Sequence, residues 1–271
     1  IMFMDDYTDA KVAPTANFGE TDGINSYNPM LSPQQRDLLC TQAGFGPNDY
    51  ANVFTGRRNV EGGPRRTQLR RTSLRLLGGL RGDISPAWSY DVYGLHAEVS
   101  APTSFINDFD VDRIGYALDV VGDPGDPSTW RCRSDDPGCV PWNIFQAGGV
   151  TQEAVDYMSV NTLLDSGTKT QQIVGTVTGD LESAGVMLPS ASEAVQVAFG
   201  AEYRKESLFV NPDEAQEFGL IAGFGGATVP VDGSYNTKEI FAEALIPLIQ
   251  DSELAQDLVA ELGYRYSNYN L

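Results

Sequence analysis

No run of roughly 18 apolar residues occurs anywhere in the sequence, so it holds no segment fit to cross a bilayer as a helix. Cations are scarce as well. Lys and Arg number 18 against 37 Asp and Glu, a formal net charge of -19 with a pI near 4.2. That balance argues against a nucleic-acid partner, whose phosphates demand basic side chains. Histidine occurs once, as His96, and neither a C-x-x-C pair nor a zincin spacing is present. No zinc site is expected, and no cofactor or other metal. Nucleophile candidates Ser207 and Ser234 lie outside any G-x-S-x-G elbow, and AGFGGA at 222–227 lacks the strand-to-helix setting of a nucleotide loop. Catalysis is not expected. Glu202 with Glu206, or Glu239 with Glu243, would fit a carboxylate pair, but neighbours two or four apart on a strand more simply line one polar face.

What the sequence does contain is long alternation. In 194–206, AVQVAFGAEYRKE, Val195, Val197, Phe199, Ala201 and Tyr203 share one parity, and Gln196, Glu202 and Arg204 share the other. Residues 255–268 repeat it, with Leu258, Ala260, Leu262, Tyr264 and Tyr266 against Asp257, Glu261 and Arg265. Successive strand side chains point to opposite faces, so each strand has one greasy and one charged side. Strands of soluble sandwiches run about five or six residues. Alternation over ten or more, ending in tyrosines, is the pattern of a transmembrane β-barrel. The mean hydropathy of -0.24 does not oppose this, because half of every barrel strand faces water. The 28 glycines, 12 tyrosines and 12 phenylalanines suit tight turns and aromatic girdles.

Hairpins follow from the same pattern. Strands are expected at 66–81, 88–100, 168–182, 193–209, 235–249 and 254–269, with short turns near 84, 187 and 251. The connections 13–60, 101–167 and 210–234 are long, polar and rich in Gly, Pro, Asn and Asp, and 150–160 reads as a short amphipathic helix. Short turns at one end and long loops at the other match the periplasmic and extracellular ends of an outer-membrane barrel. The fold class expected is therefore all-β: an antiparallel, up-and-down transmembrane barrel segment with long extracellular loops. All three cysteines, Cys40, Cys132 and Cys139, fall in those loops. Cys132 and Cys139 bracket RSDDPG, and a disulfide there would imply an oxidising compartment; two free thiols are the alternative. The acidic loop 119–139 offers carboxylates to Ca²⁺ or simply to water. The chain opens mid-phrase at Ile1, which reads as an internal segment of a longer protein.

Four phrases carry a family resemblance: RRNVEGGPRRTQLRRTSLRLLGGLRGDISPAWSYDVYG at 57–94, CVPWNIFQAGGVTQEAVDYM at 139–158, VAFGAEYRKESL at 197–208, and KEIFAEALIPLI with AELGYRYSNY between 238 and 269. In these phrases, their order and their spacing, nearly the whole chain resembles TonB-dependent receptors, the outer-membrane active transporters of Gram-negative bacteria. The resemblance implies a plugged barrel of about 22 strands, of which this chain would hold roughly seven. It implies import of a scarce ligand such as a siderophore, cobalamin or glycan, energised through a TonB complex by an N-terminal region not visible here. The chain departs from the expected pattern at Ser26, where a loop cysteine is looked for, and this leaves Cys40 without that partner. Arg71, Arg75, Glu202, Arg204, Glu239, Glu243, Glu261 and Arg265 would then line the lumen, facing plug, solute or water. Tyr203, Tyr264 and Tyr266 would sit in the girdle, and His96 near the outer interface. Loop aromatics Trp130, Trp142 and Phe145 are candidate ligand platforms; Trp142 and Phe145 fit the loop's own small core beneath the 150–160 helix better than that role. A passive porin, a surface adhesin or a soluble secreted β-protein are the competing readings.

Overall fold

The structure, a computed structural model, describes residues 1–253 and 255–270, apart from the side chains of residues 19–22. Long alternating segments become long strands. One antiparallel sheet contains β1 (Met2–Val12), β4 (Arg65–Ser85), β5 (Trp88–Ser100), β9 (Ser159–Asp180), β10 (Gln196–Pro212), β11 (Val231–Gln250) and β12 (Asp257–Asn270), side by side in that order. An eighth strand, β6 (Thr103–Phe109), bridges the loop-side ends of β4 and β9. Two small ladders complete the β-structure: β2 (Ala16–Asn25) with β3 (Tyr50–Arg58), and β7 (Val120–Val121) with β8 (Arg131–Cys132). Among the described residues β1 pairs only with β4 and β12 only with β11, so the sheet has two free edges and no closed barrel is formed.

Register is fixed because a slip by one residue would reverse every side chain. Two glycines help to hold it. A Cβ at Gly200 would fall 2.0 Å from the ring of Phe241, and one at Gly179 would fall 2.5 Å from Trp88. Each large ring thus covers bare backbone across the ladder, which pins the neighbouring strands.

Several expected boundaries are corrected. The connection 101–167 is not one loop, since β6 occupies 103–109 and β9 begins at Ser159 rather than near 168. Strand 66–81 extends to Ser85, leaving only Pro86 and Ala87 for its turn. The loop 210–234 shrinks from both sides, because β10 runs to Pro212 and β11 starts at Val231. Loop 13–60 contains the β2–β3 hairpin and the short helix α1 (Pro33–Arg36), closed by a capping box between Ser32 and Gln35. The expected helix at 150–160 is seven residues, α3 (Gln152–Met158), capped by Thr151. It packs beside α2 (Val111–Leu118), which Asp110 caps, while α4 (Glu214–Glu217) follows β10.

The loop-side connections fold into a cap with its own core. Ile24, Leu31, Phe109, Ile114, Leu118, Trp142, Val155 and Met158 are buried together there. Fully burying a side chain of this size stabilises by about 1.5–3 kcal/mol. Buried amides tie the pieces: Asn25 donates to Asp119 at 2.7 Å and to the Val120 carbonyl at 3.0 Å, and Asn28 donates to the Leu118 carbonyl at 2.6 Å. Ser26 is buried in this cap and donates to the Gly46 carbonyl, while Cys40 is a buried free thiol.

Candidate functional site

Burial on the main sheet is inverted relative to a water-soluble protein. Across five successive pairings the ladder aligns Leu80, Val92, Gly175, Ala201, Ile240 and Tyr266 on one face. Of these, Leu80 is 75% exposed and Ile240 61% exposed. The next row toward the turns aligns Gly82, Tyr90, Val177, Phe199, Ala242 and Tyr264. Val197, Phe199, Ala201, Leu258, Ala260 and Leu262 all share this apolar face, and no charged side chain interrupts it between Val195 and Tyr203 on β10. An apolar surface this wide is rare on a soluble monomer and marks a buried or membrane-facing contact.

All eight expected lumen residues occupy the opposite, charged face, together with Gln196. Four of them meet. Glu202 of β10 stands directly opposite Glu239 of β11, a like-charge pairing that destabilises a sheet if left alone. Arg265 of β12 resolves it by reaching Glu202 at 2.9 Å and Glu239 at 2.9 Å. Gln172 donates to Glu202 at 2.8 Å, Ser267 donates to Glu239 at 3.0 Å, and Arg204 approaches Glu202 at 3.8 Å. The guanidinium of Arg265 also lies 5.1 Å from the centre of the Phe241 ring. Both carboxylates are nearly buried, with side-chain exposures of 9% and 6%, whereas Arg265 is half-exposed. Gln172, Ser267 and Phe241 have no signal in the sequence beyond their parity; only the register brings them here.

The other four stand apart. Arg71 and Arg75 lie exposed on β4, and Glu243 and Glu261 line a recess of about 860 Å³ near the turns, with Ser89, Thr178, Gln196 and Leu245. No catalytic set is assembled from the candidates. Ser207 and Ser234 face each other across β10 and β11, and among the described residues His96 reaches only Glu98, at 3.7 Å.

In the cap, Trp142 is 0% exposed, edge-on to Phe109 and 5.6 Å beneath the Arg57 guanidinium. It is a core residue, in line with the favoured reading of this loop aromatic, and it is no ligand platform because no surface of it is free. Phe145 packs half-buried on the same core, and its carbonyl accepts from Gln35 at 3.0 Å. Trp130 sits half-buried over its own loop, donating to the Asp123 carbonyl at 2.8 Å. Four of the five carboxylates of 119–139 are spent separately. Asp123 and Asp126 cap turns, Asp119 takes Asn25, Tyr50 and Arg133, and Asp136 takes Tyr157. Among the described residues no group of three His, Cys, Asp or Glu side chains is placed to hold a metal ion.

Cys132 and Cys139 are joined, with Cα atoms 6.1 Å apart. The loop closed is short, so the bond shapes the loop more than it stabilises the sheet. Thiol labelling of the freshly isolated protein should modify neither cysteine before reduction and both after it; two reactive thiols at the outset would contradict the pairing.

Tyr157 gives a pH handle on the cap. Burial, then its hydrogen bond to Asp136 at 2.8 Å, pushes its phenol well above the usual tyrosine value of 10.0. The folded value is the raised one, so this stabilisation is intact below pH 10.0 and is lost as the pH climbs toward the folded value. In an alkaline titration the last phenolate absorbance to appear should vanish in Tyr157→Phe. Simultaneous ionisation of every tyrosine would rule the coupling out.

The chain matches no protein-family model, no curated protein and no solved structure.

Proposed function

We propose that the chain is a stretch of a bacterial outer-membrane β-barrel of the TonB-dependent receptor kind, contributing to import of a scarce ligand of the siderophore, cobalamin or glycan class. The observation that carries the membrane part of this reading is the inverted burial. A face of Leu, Val, Ile, Phe and Tyr is exposed across the sheet, while Glu202 and Glu239 are buried on the other side. Lipid against the first face and a polar lumen against the second satisfy both. The long strands, the short turns at one end and the folded cap at the other support the same orientation. The TonB-dependent part rests on the four sequence phrases, and the plug, the coupling region and the remaining strands belong to the larger polypeptide or assembly this reading requires. No catalytic step is ascribed to the chain.

The test uses the full-length protein in a Gram-negative host. It should fractionate with outer membranes, require detergent for extraction, and support uptake that stops when the proton-motive force is dissipated. Deleting 122–138 should impair uptake while leaving the sheet assembled, because no bond of the main ladder lies there. Extraction without detergent would sink the membrane reading. Uptake indifferent to the proton-motive force would leave a passive porin, and the absence of any uptake would favour an adhesin.

A further inference from the structure

The sequence contains only four lysines, Lys11, Lys169, Lys205 and Lys238, and all four stand on the apolar face, on the loop side of its apolar band. On three adjacent strands the lysine is the first charged residue met as the band ends. Ile173 and Gln171 precede Lys169 on β9, Tyr203 precedes Lys205 on β10, and Ile240 precedes Lys238 on β11. The register sets the three on a diagonal. Lys205 is opposite Gln171 while Lys169 is opposite Ser207, and Lys205 is opposite Asn236 while Lys238 is opposite Tyr203. Each is therefore one diagonal step from the next, about 7–8 Å between backbones and less between side chains. Flexible four-carbon stems close that distance readily, so adjacent ammonium groups can converge on one anion.

Lys169 is 3.6 Å from Glu98, but among the described residues neither Lys205 nor Lys238 has an ion-pair partner. The turn end of the sheet is the reverse. Its connections carry Glu182, Glu193, Asp251 and Glu253 with no Lys or Arg among them, and the strand ends beside them add Asp83, Asp180 and Asp257. In a chain of net charge -19, three lysines gathered at one edge of an apolar band, two of them without a carboxylate partner among the described residues, select an anion held at that level. An anion in open water would not need the band; a lipid headgroup sits where the stems emerge from it.

We infer that Lys169, Lys205 and Lys238 form a seat for the phosphate of an anionic lipid headgroup in the loop-side leaflet, with Tyr203 and Tyr266 beneath it at the acyl boundary. The inference rests on the membrane reading above. The full-length protein is reconstituted into phosphatidylcholine nanodiscs containing a minor fraction of phosphatidylglycerol, and lipids that stay bound are identified by native mass spectrometry. Wild type should retain phosphatidylglycerol preferentially. The preference should fall about fivefold for each lysine replaced by Gln, with Lys205→Gln and Lys238→Gln singly carrying the test if the triple variant does not assemble. Arg81→Gln, on the charged face, should leave it unchanged.

An undiminished preference in the lysine variants overturns the inference. So does an equal loss in Arg81→Gln, displacement of the lipid by excess inorganic phosphate, or a change in oligomeric state in place of lipid loss. A wild-type protein that never enters nanodiscs defeats the membrane reading itself; one that enters and shows no preference defeats only the lipid seat.

Discussion

Arginine placed at Ala201 should destabilise the assembled protein by about 2–4 kcal/mol, while arginine at Ala198 should cost almost nothing. Ala201 lies on the apolar face, aligned with Val92, Ile240 and Tyr266, one row from the centre of the band on β10. On the proposed membrane reading, a guanidinium there must either enter hydrocarbon or strain toward the headgroups. Ala198 lies on the charged face opposite Glu243, where an added cation meets water and a carboxylate. Unfolding in urea, followed in phospholipid vesicles for both variants of the full-length protein, measures the difference. Equal tolerance at the two positions would end the membrane assignment, because it is the one outcome that a sheet wet on both faces predicts.

The second large effect should come from Arg265→Ala. The substitution leaves Glu202 and Glu239 opposite each other, nearly buried, and without the cation that spans them. Stranding one partner of a buried pair costs roughly 3–5 kcal/mol. Here roughly 2–3 kcal/mol is the better figure, since half-exposed Arg265 is partly screened by water. Adding Glu202→Gln to Arg265→Ala should recover part of the loss, because a neutral amide opposite Glu239 removes the like-charge contact while still serving Gln172. A double-mutant cycle on unfolding free energies checks this. Strictly additive losses would mean that Arg265 acts through its contact with Phe241 and not through the carboxylates.

The strands were legible wherever the two faces meet different environments. Through 194–206 and 255–268, one face is apolar and the other charged, and the period of two is plain in the residues themselves. It fails where neither face is uniformly apolar or charged. Residues 103–109 and 159–167 form ladder strands of mostly polar sequence, so nothing in them separates strand from loop until their partners are known. Residue types on the charged face were likewise readable, but their meeting was not. Arg265 finds Glu202 across an intervening strand, and a register shift between Pro247 and Ile249 breaks the pairing that simple counting back from the turn would give. Trp142 illustrates a different gap: an aromatic in a polar loop looks alike whether it greets a ligand or fills a core, and only the assembled cap shows that it fills one.

The apolar band is not level with the ladder. Its loop-side limit on β4 is Leu74, whereas on β12 it is Tyr266, whose row crosses β4 at Leu80. Five strand-to-strand steps thus displace the limit by the distance from Leu74 to Leu80, roughly 20 Å along the chain, over roughly 24 Å across it. If that limit marks a flat water–lipid boundary, the strands must lean about 40° from the bilayer normal, inside the range that barrel closure demands. The slope also amounts to a slide of a little over one residue per strand, the shear a closed barrel must accumulate around its circumference. On the proposed barrel reading, the side chains at that limit would by themselves set the lean of a cylinder whose remaining wall comes from other strands.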